Sequence, residues 1–218
     1  DNDFLEFLDE NRRALASDIY KNNDHAELLD GNKLTEACQR IIDRLLTTVC
    51  PLVTDIRLVV NDNSLADTGI PLVLDPEPHA GVLPALLTGL SASHSDLCLV
   101  VACDMPFLSG ALVRHLFNRC EASDVCLPYT QGRPEPMLAV YRREPCIAAI
   151  SHSIRQERMR MISFLDDVRV TQIEENELRL FDPTLQSFFN INEPVDLEKR
   201  SEEHTSELPS LAYLVCRL

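Results

Sequence analysis

The stretch from Leu97 to Leu108 constrains this chain more than any other. An unbroken apolar run, Leu97 to Cys103, stops at a carboxylate, Asp104. A short, β-branched run without alternation reads as a strand buried on both faces, as in a parallel sheet. Pro106 prevents the ladder from continuing. Ser109 is positioned to cap a helix over Gly110 to about Arg119. The unit is strand, turn, helix, with Asp104 at the carboxyl end of a central strand. Ligands of open α/β sheets bind at that edge. A carboxylate there suits Mg²⁺, which takes one or two carboxylates plus phosphate oxygens. Turn chemistry alone also favours Asp at a strand end.

Two more apolar runs end the same way. Ile56 to Val60 stops at Asn61, and Pro71 to Leu74 stops at Asp75. Parallel strands bring all three ends to one edge of one sheet. A helix is expected over Lys33 to about Cys50, where Leu34, Cys38, Ile41, Ile42, Leu45, Leu46 and Val49 keep the spacing of one buried face. Another is expected over Leu83 to about Ser93, after the His79-Ala80-Gly81 loop. In the second half, strands are expected at Val125–Pro128, Pro136–Tyr141, Val168–Ile173 and Ser187–Ile191. A turn is expected at Gln131–Pro134 and a helix at Pro145–Ile154. This alternation predicts an α/β fold with a doubly wound sheet.

The formal net charge of −15 excludes a general phosphate-backbone binder, which needs a basic face. It does not exclude a nucleotide held with a metal, because the metal supplies positive charge. No run is long enough to span a membrane and no signal peptide is visible, so the chain is read as cytoplasmic. The eight cysteines form no C-x-x-C pair and read as reduced, mostly buried small hydrophobes. The histidines show no zinc-binding spacing.

Four segments, in order, carry a family resemblance. Val101-Ala102-Cys103-Asp104-Met105-Pro106-Phe107-Leu108 resembles the "cDmPfl" motif of molybdenum-cofactor guanylyltransferases and their nucleotidyltransferase relatives. Gly81-Val82-Leu83-Pro84-Ala85-Leu86 is similar to that family's Gly-Pro-Leu-Ala-Gly-Leu loop. Pro134 to Tyr141 resembles its "EPL.A.Y" strand, and Asn190 to Leu197 its closing N-x-N-T-P-x-D-L. The resemblance covers about residues 33–199. It implies a Rossmann-like three-layer sandwich with a mostly parallel central sheet. It implies transfer of GMP from GTP to the phosphate of molybdopterin with release of pyrophosphate, or of CMP from CTP in close relatives. On this resemblance Asp104 holds Mg²⁺ and nucleotide. Asn61, Asp75, Gly81 and His25 contact nucleotide, and Asn190 and Asn192 serve the pterin side. A molybdoenzyme or cofactor-biosynthesis protein is the expected protein partner, with no nucleic acid and no membrane.

The chain departs from the family at both ends. The family opens with a strand and the loop L-A-G-G-x-S-x-R-M-G-x-D-K. The best counterpart here is Leu15-Ala16-Ser17-Asp18-Ile19-Tyr20-Lys21-Asn22-Asn23-Asp24-His25, which lacks both glycines and has His25 at the Lys position. Asp24 and Gly31 keep the register, and Ala85 replaces a glycine of the second loop. A non-catalytic homologue that binds cofactor or a partner is the alternative reading. The expected organisation is one nucleotidyltransferase domain over residues 1–199, atypical over 1–32, and a non-native tail over 200–218. That tail resembles a translated sequencing adapter. A chain stopped at Lys199 is accordingly expected to keep its thermal midpoint within a few degrees.

Overall fold

The run that opened the analysis is a strand, β3 (Leu97–Ala102), and it is buried on both faces. In the computed structural model, residues 42–61, 63, 65–76, 81–190 and 213–217 are described. Successive β3 side chains divide between two cores, as the two-residue period of a strand requires. Leu99 and Val101 join one core, while Cys98 and Val100 join the other. A strand with apolar neighbours above and below gains nothing from alternation, which is why the run is unbroken.

The first core lies under three helices: α1 (residues 42–49), α3 (Gly110–Arg119) and the single-turn α5 (Glu175–Leu178). In α1, Ile42, Leu45, Leu46 and Val49 are buried as their spacing predicts. The earlier part of that expected helix lies outside the described residues. The second core lies under α2 (Val82–Ala92) and α4 (Arg143–Arg155). Helices on both faces of one sheet make three layers, the sandwich that was expected.

The sheet contains β1 (Asp55–Val60), β2 (Leu72–Leu74), β3, β4 (Val125–Thr130), β5 (Arg133–Pro134), β6 (Leu138–Arg142), β7 (Val170–Ile173) and β8 (Tyr213–Arg217). Their order is β2-β1-β8-β3-β6-β4-β5, with β7 also paired to β4. Strands β1, β2, β3, β4 and β7 run in one direction, and β5, β6 and β8 oppose them. The five codirectional strands end at the same edge. A two-residue turn joins β4 to β5, with Gln131 and Gly132 at φ 51° and 72°. Two positive φ values in a row match the twist of a tight hairpin.

Two expectations need correction. Residues Ser187 to Ile191 were expected as a strand, but Gln186–Phe188 is a 3₁₀ turn. The Asp182 carboxylate accepts hydrogen bonds from the backbone N–H groups of Gln186 and Ser187, which curls the chain. The second correction concerns the C-terminal residues. Tyr213–Arg217 pairs antiparallel with both β1 and β3 and fills the slot between them. This part of the expected tail therefore belongs to the sheet, and the other residues of 200–218 lie outside the described residues. In a doubly wound sheet that slot is the place of the first strand, the one leading into the phosphate-binding turn.

Candidate functional site

Backbone register aligns the three polar strand ends. Val60 pairs with Leu74, so Asn61 and Asp75 follow side by side. Tyr213 pairs with both Val59 and Ala102, so those two residues are level across β8. Asn61 and Asp104 each follow two residues later, just past the ends of their strands. Two strand spacings of about 4.8 Å separate β1 from β3 across β8. The three expected residues share one edge of the sheet.

Asp104 sits in a turn just past β3, where the N–H of Met105 bonds the carbonyl of Ala102 at 3.2 Å. Its Oδ1 is buried with no hydrogen-bond partner among the described residues. Burial pushes its carboxyl above the ordinary carboxylate range, and its own backbone N–H offsets this in part. A buried acceptor left unpaired is costly. Asp104→Asn keeps the shape and removes the charge, so it should raise the thermal midpoint by a few degrees at neutral pH. The penalty on the carboxylate is full above its raised pKa and fades as pH falls through it toward the ordinary value. The gain from the substitution should fade over that same window, which melts at a series of pH values would check.

The turn after Asp104 is braced by the segment before Asn190. The Ser109 backbone N–H donates to Ser187 Oγ at 2.9 Å, and the Ser109 hydroxyl donates to the Phe181 carbonyl at 2.9 Å. Ser109 Oγ also accepts from the Leu112 N–H at 3.3 Å, the helix cap that the sequence predicts. Phe107 packs against Phe189 at 6.1 Å and lies under the Arg44 guanidinium at 4.8 Å. Asn190, next in the chain, is half-buried, and its Oδ1 also lacks a hydrogen-bond partner among the described residues.

Gly81 precedes α2, which follows β2 and so starts at the same edge. Its φ of 107° and ψ of 179° lie in a region that only glycine tolerates. Open space surrounds the position of a Cβ there, so backbone strain alone argues for glycine. Gly81→Ala should cost about 1–3 kcal/mol, readable as a lower urea midpoint at constant slope. Asp75 is buried, and its N–H donates to the Val60 carbonyl at 2.8 Å. His25 and Asn192 lie outside the described residues.

Sequence reasoning missed the groups at the end of β4. Glu135 is bonded by the Thr130 hydroxyl, and burial pushes its carboxyl up. Glu175 accepts from the Gln131 N–H at 2.9 Å and from the Arg179 guanidinium at 2.7 and 3.0 Å. These groups come from separate elements, and no local pattern announces their meeting.

The family model for the MobA-like NTP transferase domain matches residues 33–169. A molybdenum cofactor guanylyltransferase of Desulfosudis oleivorans is 34% identical over 175 residues, covering 79% of this chain and 82% of that protein. A probable molybdenum cofactor guanylyltransferase of Pelotomaculum thermopropionicum is 36% identical over 140 residues, covering 64% of this chain and 67% of its own length. Among solved structures, molybdopterin-guanine dinucleotide biosynthesis protein A of Archaeoglobus fulgidus superposes with a TM-score of 0.61 at 28% identity, over 72% of this chain and 80% of that one. No helix among the described residues is long and apolar enough to cross a membrane. The motif series around Asp104, the three-layer sheet and these matches together show that the chain belongs to the MobA-like NTP transferase family, a family of nucleotidyltransferases.

Proposed function

We propose that this chain is a Mg²⁺-dependent guanylyltransferase, moving GMP from GTP to the terminal phosphate of molybdopterin. One observation carries the reading: Asp104, whose buried Oδ1 has no hydrogen-bond partner among the described residues, follows β3 at the same carboxyl edge of the sheet where Asn61 and Asp75 follow β1 and β2. The names of the relatives supply the guanine nucleotide and the acceptor.

In this reading Asn61 and Asp75 orient the nucleotide at the ends of β1 and β2, with Gly81 admitting backbone close to it. Asp104 stands between them and the acceptor. The acceptor phosphate oxygen bonds to the α-phosphorus of GTP as the bond to the α–β bridging oxygen breaks, and pyrophosphate leaves. Asp104 fits Mg²⁺, since a hard oxygen ligand is buried and unsatisfied there. No group of three or more metal-binding side chains comes together among the described residues. The remaining positions around an ion at Asp104 would thus go to phosphate oxygens and water. When bound, Mg²⁺ supplies the positive charge that a chain of net −15 lacks. Asn190, whose Oδ1 has no hydrogen-bond partner among the described residues, would serve the acceptor side.

Calorimetric titration with GTP tests the reading. Affinity should rise when Mg²⁺ is added, and Asp104→Asn should remove that rise, a loss of about tenfold or more. CTP in place of GTP should bind more weakly. A carboxylate with a purely structural role would leave ligand binding unaltered when replaced.

A further inference from the structure

Asp104 and Asn190 share a feature: the Oδ1 of each is buried without a hydrogen-bond partner among the described residues. Such orphans cost stability, so other contacts must hold them where they are. Asp104 follows β3 and takes its place from the sheet. Asn190 has no such support. Residues 179–190 belong to no strand, so no ladder sets where Asn190 lies.

One hydroxyl joins the two segments. Ser187 is fully buried, and its Oγ accepts the backbone N–H of Ser109 at 2.9 Å, 78 residues away in sequence. Ser109 ends the turn that holds Asp104 and caps α3. As the cap it has no helix carbonyl for its own N–H, and the Ser187 hydroxyl supplies the acceptor. Ser187 stands in the 3₁₀ turn just before Asn190. Its backbone N–H donates to Asp182 Oδ2 at 2.8 Å, so the acceptor is itself held in place. A second bond runs the other way, from the Ser109 hydroxyl to the Phe181 carbonyl at 2.9 Å. Phe181 lies before the left-handed residue Leu185, further from Asn190 along the chain. Ser187 is therefore the nearer tie between Asn190 and the Asp104 turn.

We propose that Ser187 is a positioning residue for the transfer reaction: its hydroxyl sets the Asn190 segment against the Asp104 turn. The inference rests on the guanylyltransferase reading, in which Asp104 serves metal and nucleotide and Asn190 serves the acceptor. Ser187 acts through both and touches neither ligand. Mg²⁺·GTP engages the Asp104 side, so its binding does not need the bridge. Transfer needs both sides in one alignment, and a misplacement of about 1 Å costs about a hundredfold in rate.

The test separates binding from rate in the full chain. Ser187→Ala should slow single-turnover transfer from α-labelled GTP to molybdopterin at least tenfold, while calorimetric affinity for Mg²⁺·GTP stays within about twofold of the parent. Ser187→Thr keeps the hydroxyl and should recover most of the rate. Ser187→Cys fills the space with a weak acceptor and should stay slow. Ser153→Ala removes another fully buried hydroxyl, on α4 across the sheet, and should transfer at the parent rate. Parent-like transfer by Ser187→Ala or by Ser187→Cys would overturn the positioning role and leave the transferase reading standing. Loss of GTP affinity in step with rate, or loss of the cooperative melt in both variants, would make Ser187 merely structural and overturn it too. A parent chain that transfers no label would bring down the transferase reading and the positioning role with it.

Discussion

A chain ended at Lys199 should not fold at 25 °C. Within the sheet, strand β8 is the only link among the described residues between the β1–β2 pair and β3, and it is hydrogen-bonded on both sides. Its removal leaves two facing strand edges with unpaired N–H and C=O groups. Those edges belong to strands whose own side chains, Leu58, Val59, Val100 and Val101, are almost completely buried. Nine residue pairs join β8 to its neighbours, five to β1 and four to β3. At a net contribution of about 1 kcal/mol per backbone hydrogen bond, their loss matches the 5–15 kcal/mol that holds a typical domain together. The truncated chain should therefore lose its near-ultraviolet circular dichroism and its cooperative melt. Val215→Pro makes the same test without truncation. Val215 pairs with Arg57 on one side and Val100 on the other, and proline cannot donate to a central ladder. A truncated chain melting within a few degrees of the parent would show that the sheet does not need β8, as reading the sequence by itself had suggested.

The second large effect is on rate. The parent chain should transfer GMP far more slowly than an ordinary enzyme of this family. A triphosphate brings several negative charges to a chain at −15. The family meets them with a glycine loop whose N–H groups point at the phosphates, aided by Arg and Lys. Residues 15–25 offer instead Ser17, Asp18, Lys21 and His25. Each preorganised donor lost costs about 3 kcal/mol at the transition state, so two lost donors slow the reaction on the order of ten-thousandfold. The slot that a phosphate-loop strand takes in a doubly wound sheet is filled here by β8, running the opposite way. That arrangement accords with slow turnover by this chain. Replacing residues 15–25 with the family-type loop should raise turnover by orders of magnitude, because Asn61, Asp75 and Asp104 already share an edge. Pyrophosphate release from GTP with molybdopterin and Mg²⁺ is the assay. A parent chain turning over at an ordinary enzymatic rate would remove the electrostatic argument.

The strand ends were legible in the sequence because a strand buried on both faces has no reason to admit a polar residue until it leaves the core. Asn61, Asp75 and Asp104 stand where three such runs stop. The Ser109 cap was legible because capping is local. Strand β8 was not legible: five residues, Tyr213 to Arg217, become a strand because two edges 110 residues and more away have a gap between them. Strand formation depends on its neighbours more than on its own composition. The segment before Asn190 reads as a strand by its apolar content, but the Asp182 side chain competes for its backbone and bends it. The meeting of Gln131, Glu175 and Arg179 needed the hairpin, α5 and the residues after it together. None of these carries a local mark of that meeting.

The most direct test of the Asp104-centred site is a single-turnover experiment, with protein in excess of molybdopterin so that even a slow enzyme yields product. GTP labelled at its α-phosphate is added with Mg²⁺, and label on the pterin is followed against time. The account predicts labelled dinucleotide and an equal amount of pyrophosphate, formed slowly, dependent on Mg²⁺ and absent with Asp104→Asn. Label appearing equally with Asp104→Asn, or never appearing with the parent chain, would contradict it.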